Sequence, residues 1–183
     1  KIKKSKRFIN RRGFFESVDI KEIPSKDKPN YLDVEVTVEE KPTGYFSIQG
    51  GYSSVEALLL GVQVQENNLW GYGKQLGASI TVGTVSQNFL IDYGDPYFLD
   101  TTYQFRMSLF KRKYEFIDYD REKWGGTLML GKELNTWTFA DIKYRYESIE
   151  VDDLTTEATE VFQESKDKIS SISFGMRYDT RDN

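Results

Sequence analysis

The 183-residue chain contains no cysteine and no histidine. The first absence excludes a disulfide framework and thiol chemistry. The second removes the commonest general base and metal ligand. No nucleophile–base pair stands out among the remaining polar residues, so no enzymatic activity is expected. There is also no stretch of ~18 apolar residues, which excludes a helical membrane protein. A hydrophobic fraction of 38%, a charged fraction of 30% and a mean hydropathy of −0.59 do not exclude a membrane β-barrel, in which half of every strand is polar. The net charge of −4 conceals a basic start. Lys1, Lys3, Lys4, Lys6, Arg7, Arg11 and Arg12 lie together with no acid between them. They read as a solvated helix face. With no aromatic stacking platform or glycine loop beside them, nucleic acid is not an expected partner.

Aromatics are abundant: 12 Tyr, 12 Phe and 3 Trp, or 15% of the chain, a load suited to the girdles of a membrane interface. From Tyr45 onward, apolar residues recur at every second position in about eight segments. Phe46, Ile48, Gly50 and Tyr52 oppose Ser47, Gln49 and Gly51. Leu58, Leu60, Val62 and Val64 oppose Gly61, Gln63 and Gln65. Leu76, Ala78, Ile80 and Val82 oppose Gln75, Gly77, Ser79 and Thr81. A short fourth segment carries Phe89, Ile91 and Tyr93. Segments centred on Phe105, Leu128, Ile142 and Phe174 follow. Arg106, Asp141, Lys143, Arg145, Arg177 and Asp179 all fall on the non-aliphatic side. A lipid-facing Lys or Arg at mid-membrane would cost about 2–4 kcal/mol, so the aliphatic side is expected outward and the charged side toward a lumen. One alternating strand would fit a soluble sheet equally well. A series of about eight favours a barrel wall.

Before Tyr45 the pattern differs. Residues 1–12 suit the last turns of a helix, and Gly13 suits its stop. Alternation over Phe14–Ile23, a polar turn over 24–30 and alternation over Leu32–Glu39 predict two strands. Helix, strand, loop and strand make part of a small α+β module. Lys1 leads directly into a helix end and Asn183 follows a strand, so the chain is expected to be an internal piece of a longer polypeptide.

The connections alternate in character. Glu66–Lys74, Gly94–Phe98 and Leu134–Trp137 read as short turns, whereas 111–123 and 148–168 read as long charged loops. That is the periplasmic-versus-extracellular asymmetry of an outer-membrane barrel. Glu150, Asp152 and Asp153 read as a solvated acidic surface rather than a calcium site, because no EF-hand spacing is present. The closely spaced glycines of Asn67-Asn68-Leu69-Trp70-Gly71-Tyr72-Gly73 lie between strands. They suit a tight turn with an interfacial Trp anchor better than a phosphate cradle.

Several landmarks occur in order: Gly13-Phe14-Phe15-Glu16-Ser17-Val18; Val34-Glu35-Val36-Thr37-Val38-Glu39-Glu40-Lys41-Pro42-Thr43-Gly44; Asn67 through Leu76; Asp95-Pro96-Tyr97-Phe98; and Tyr178-Asp179-Thr180-Arg181-Asp182-Asn183. Together they resemble the outer-membrane β-barrel assembly family (BamA-like). The resemblance implies that residues 1–42 are the C-terminal part of a periplasmic POTRA domain. It implies that residues 43–183 are the N-terminal half of an up-and-down antiparallel transmembrane barrel, roughly eight of about sixteen strands. The implied location is the bacterial outer membrane, with residues 1–42 in the periplasm. The implied activity is the folding and insertion of other barrel proteins, without a cofactor or metal. Nascent outer-membrane proteins, outer-membrane lipid and accessory lipoproteins would be the partners.

In that family the first strand pairs weakly with the last and the seam opens sideways. The resemblance therefore implies that Tyr45, Phe46, Ser47, Ile48, Gln49, Gly50, Gly51, Tyr52 and Ser53 form an edge to which a client strand adds by β-augmentation. Gly50-Gly51 either weakens that strand or permits a bend or close packing, and both readings stand at this stage. Two relatives offer a rival function: a translocation assembly module subunit, or a two-partner secretion pore that exports polypeptide through its lumen. The first strand is not expected to pair with the last one in this chain. The small inner residues Gly51, Gly61, Gly77, Ser79, Gly125 and Gly175 would leave an eight-stranded lumen poorly filled.

Overall fold

A computed structural model describes residues 2–25, 31–155 and 164–180. Residues 26–30 of the polar turn, Glu157 and Glu160 of the acidic segment, and Arg181-Asp182-Asn183 lie outside them. The chain divides into two compact units, Lys1–Gly44 and Tyr45–Asn183.

The first unit is helix α1 (Ile2–Arg11) with the antiparallel strands β1 (Phe15–Pro24) and β2 (Leu32–Glu40). Helix α1 stops where the sequence indicates. Gly13 takes φ 72°, and its N–H donates to the Asn10 carbonyl at 3.1 Å, closing the last turn. The basic face is solvated: Lys3 and Arg7 are exposed, and Lys6 reaches Asp19 at 3.5 Å. Register places Val18 opposite Val38 and Ile20 opposite Val36, so one side of this hairpin is aliphatic. Val18, 5% exposed, is the buried hydrophobic residue of the described chain, while Val34 and Val36 remain exposed.

The second unit is a single eight-stranded antiparallel sheet. Its strands are β3 (Gly44–Gly51), β4 (Leu59–Leu69), β5 (Lys74–Gly83), β6 (Ser86–Asp95), β7 (Tyr103–Glu115), β8 (Asp120–Asn135), β9 (Thr138–Asp152) and β10 (Ser165–Tyr178). They are ordered in space as in sequence, from β3 at one edge to β10 at the other. That is the up-and-down topology the resemblance implies. Among the described residues β3 and β10 do not pair, so this sheet is an open wall. After Gly44 the described helical structure is a 3-10 turn at Phe98–Asp100, and no described helix is long and apolar enough to cross a membrane.

Two expectations need correction. The fourth segment is not short: β6 has 10 residues. The stretch 111–123 is not mainly loop, because β7 continues to Glu115 and β8 starts at Asp120, and strand takes both ends of 148–168, where β9 continues to Asp152 and β10 starts at Ser165. Charge was mistaken for loop character. β7, β8, β9 and β10 have 13, 16, 15 and 14 residues, against the ~9–11 that a tilted strand needs to cross a bilayer. Their surplus carries Lys111, Lys113, Asp120, Glu122 and Glu150, which can be strand residues beyond the hydrocarbon and still meet water.

The candidate strand edge and the two faces of the wall

Register settles which side chains share a face. Val62 lies opposite Ile80, Ile80 opposite Phe89, Ile91 opposite Leu109, and Leu130 opposite Ile142. These side chains, with Leu60, Val64, Leu76, Val82 and Leu128, form one continuous aliphatic surface, and every one of them is exposed. Soluble monomers rarely expose an apolar patch beyond roughly 600 Å². Hydrocarbon is the solvent in which such a face carries no penalty.

The opposite face is polar and internally tied. Glu147, 6% exposed, accepts from Lys123 at 2.8 Å and from Arg145 at 2.6 Å. Arg145 and Arg112 both lie over the Phe110 ring. The inner glycines Gly77, Gly125 and Gly175 are covered by neighbours. The Asp92 carboxylate lies over Gly77, the Asp141 carboxylate over Gly175, and the Glu147 backbone against Gly125. The sequence shows these glycines as small residues but not what fills the space they leave.

At the end of the sheet where β3 begins, the turns explain the short motifs. Trp70, Gly71 and Gly73 adopt positive φ, and the Asn68 side-chain oxygen accepts the Gly73 N–H at 2.7 Å. The turn thereby needs both its asparagine and its glycines. Trp70 and Tyr72 project into the surroundings as interfacial anchors do. Asp95, 5% exposed, accepts the Tyr97 N–H at 3.0 Å and pairs with Lys74 at 3.2 Å, while Phe98 stacks on Phe105 at 4.8 Å. Asn135 accepts the Trp137 N–H at 2.9 Å in the same manner. These side chains build turns.

The predicted client edge falls on β3, with one trimming. Gly44–Gly51 is the strand, whereas Tyr52 and Ser53 lie beyond it. Ser53 instead starts the next connection: its hydroxyl accepts the Glu56 N–H at 2.9 Å and its carbonyl the Ala57 N–H at 2.9 Å. Phe46 and Ile48 stand on the aliphatic side, 63% and 71% exposed. On the polar side Tyr45 donates its hydroxyl to Gln65 at 2.9 Å and accepts from Gln63 at 3.1 Å. Gln49 lies against Gly61. Among the described residues no strand lies beyond β3. Gly50 and Gly51 have no positive φ. A methyl group on Gly50 would meet Leu60 at an ordinary 3.7 Å, and one on Gly51 would meet nothing. Among the described residues neither a positive φ nor a tight contact requires glycine here, and glycine lowers intrinsic strand stability.

The Omp85 superfamily domain matches residues 68–183. The chain belongs to the Omp85 superfamily. Among curated relatives, the outer membrane protein assembly factor BamA of Neisseria meningitidis serogroup B is 26% identical over 98 residues, covering 54% of this chain and 12% of that protein. BamA of Neorickettsia risticii is 32% identical over 101 residues, covering 55% of this chain and 13% of the relative. The matched stretch thus spans about an eighth of those relatives. In fold, the chain is similar to the crystal structure of BamA from Haemophilus ducreyi lacking POTRA domains 1–3. That likeness has a TM-score of 0.74 and 22% identity, covering 98% of this chain and 38% of that one. The eight-stranded wall is a BamA-like outer-membrane barrel fragment, and its location is the outer membrane.

Proposed function

We propose that this Omp85 chain is the gate-side portion of an assembly factor that folds and inserts β-barrel proteins into the outer membrane. Residues 1–42 would be the end of a periplasmic POTRA domain, and residues 43–183 the N-terminal half of the barrel. The observation that carries the reading is the β3 edge: an exposed outermost strand ending in two glycines that neither space nor torsion requires. Unpaired backbone N–H and C=O groups are costly in hydrocarbon, so an edge at membrane depth favours a strand that satisfies them. A client's terminal strand would add there by β-augmentation, with main-chain hydrogen bonds giving affinity. No bond is made or broken. The driving force is the client's own folding and its burial of apolar surface in lipid. The relatives named as assembly factors support this reading.

The test is cysteine crosslinking in the membrane-inserted protein. Ser47→Cys and Gln49→Cys are expected to crosslink to the terminal strand of a stalled client. Absence of those crosslinks, with strong ones from inner positions such as Ser79→Cys, would overturn the gate reading in favour of polypeptide export through the lumen.

A further inference from the structure

The aliphatic face is not smooth. On the β6–β9 side it holds a hollow of about 550 Å³ lined by Phe89, Ile91, Leu109, Trp124, Leu128 and Tyr146, with Gly126 among its lining residues. Gly126 faces outward between Leu109 and Tyr146 and contributes no side chain to the wall. Trp124 and Tyr146 meet edge to face at 6.0 Å.

The charges around the hollow are layered. The cross-strand row that includes Trp124 runs Phe89, Lys111, Trp124, Ser148, Lys168, and its only ionisable groups are two cations. The next row outward runs Gln87, Lys113, Glu122, Glu150, Lys166, with both signs balanced. Beyond it stand Glu115, Asp120 and Asp152, all acids. Lys111 itself lines the hollow and reaches Glu122 at 2.9 Å in the row above. Because barrel strands tilt, the row of Trp124, which continues from Phe89 to Ile80 and Val62, spans a range of depths. Its aliphatic members lie in hydrocarbon, and Lys111 and Lys168, next to the mixed-charge row, lie toward the boundary with water, where lipid phosphates and an interfacial Trp are found. A dent in a lipid-facing wall admits an acyl chain that a flush wall would exclude.

The geometry points to a specific lipid site: the hollow at Gly126 takes an acyl chain of a phosphate-bearing lipid, whose phosphate lies on the Lys111–Lys168 row. This rests on the aliphatic face being the lipid face. The ligand chemistry is an anionic phosphate on a lipid with acyl chains, as found in both lipid A and phosphatidylglycerol.

The experiment is native mass spectrometry of the intact membrane protein, offered lipid A, phosphatidylglycerol or neutral diacylglycerol in turn. A retained adduct is expected with one or both phosphate lipids, and which of them is retained identifies the source. Lys111→Gln and Lys168→Gln are each expected to weaken retention about fivefold, the effect of one lysine near an anionic surface. Gly126→Val fills the hollow from its floor; its Cβ would sit 2.9 Å from the end of the Leu109 side chain, which can turn aside, and 3.2 Å from the Ser108 carbonyl oxygen, where the backbone must give by a few tenths of an ångström. That variant is expected to lose the adduct with both lysines intact. Equal retention of diacylglycerol, or indifference to all three substitutions, overturns the proposal. The lipid face is checked separately by maleimide labelling. If Ile142→Cys labels as readily as Ser79→Cys, the wall reading fails and the lipid site with it. If Ile142→Cys is shielded while retention ignores the lysines and Gly126, only the lipid site fails.

Discussion

Adjacent residues on β9 show how much one side chain's meaning depends on its face. Glu147 points to the polar side and holds Lys123 and Arg145 together. Removing it leaves two cations facing each other. Breaking a dry buried pair costs about 3–5 kcal/mol, and a lumen wall is wetter than that, so Glu147→Ala should cost about 1–3 kcal/mol in urea unfolding of the inserted protein. Ser148, 1% exposed, has a hydroxyl with no hydrogen-bond partner among the described residues. Ser148→Ala removes an unsatisfied group and should be neutral or stabilising by up to about 1 kcal/mol in the same titration. A loss above 1 kcal/mol would show that the hydroxyl is bonded in the membrane. Neither role was legible in the sequence. Glu147 is one acid amid Lys143, Arg145 and Glu150, and only the register with β8 brings Lys123 to it. The turn residues were easier to read, because Asn68, Gly71 and Gly73 act within their own few residues.

At the scale of elements, strand identity followed from the period of two and strand order from the family resemblance, while strand ends followed from neither. The outer surplus of β7–β10 leaves the hydrocarbon, so its residues no longer follow the apolar alternation by which the strands were recognised. Lys113 pairs with Asp120 at 2.9 Å and Lys166 with Glu150 at 2.8 Å, so cross-strand ion pairs replace apolar contacts there. At β3 the useful element-scale variants are prolines at neighbouring positions. Successive N–H groups of a strand point to opposite neighbours, and proline removes one of them. Of Ser47→Pro and Ile48→Pro, one should loosen β3 from β4 and lower stability. The other should leave stability nearly unchanged while abolishing client insertion in a reconstituted assembly assay. If both behave alike, the free edge is not where clients add. Gly50→Ala with Gly51→Ala tests the same strand from the other side. The two methyls fit without a clash and should stabilise β3 by about 0.5–1 kcal/mol each, while slowing insertion. Unchanged insertion with a stiffer strand would mean that seam opening does not limit the rate.

At the scale of the whole wall, the sequence carried its message through repetition. Any one segment fits a soluble sheet, but register turns the segments into one aliphatic face and one charged face. What repetition could not convey was relief: the hollow at Gly126 and the carboxylates folded over Gly77 and Gly175 depend on neighbours from other strands. The two-faced wall makes a sharp prediction at consecutive residues of β5. Ile80 lies on the aliphatic side of β5, between Val62 and Phe89, while Ser79 faces the polar side between Gln63 and Leu90. Ile80→Lys places an ammonium in hydrocarbon and should cost about 2–4 kcal/mol in urea unfolding of the inserted protein. Ser79→Lys meets lumen water and uncharged neighbours on the adjacent strands, and should stay within about 0.5 kcal/mol of the parent. Because the chain has no cysteine, Ile80→Cys and Ser79→Cys can be labelled without background. A water-soluble maleimide should reach Ser79→Cys and miss Ile80→Cys until detergent strips the lipid. Equal labelling, or equal cost of the two lysines, would mean that both faces meet water.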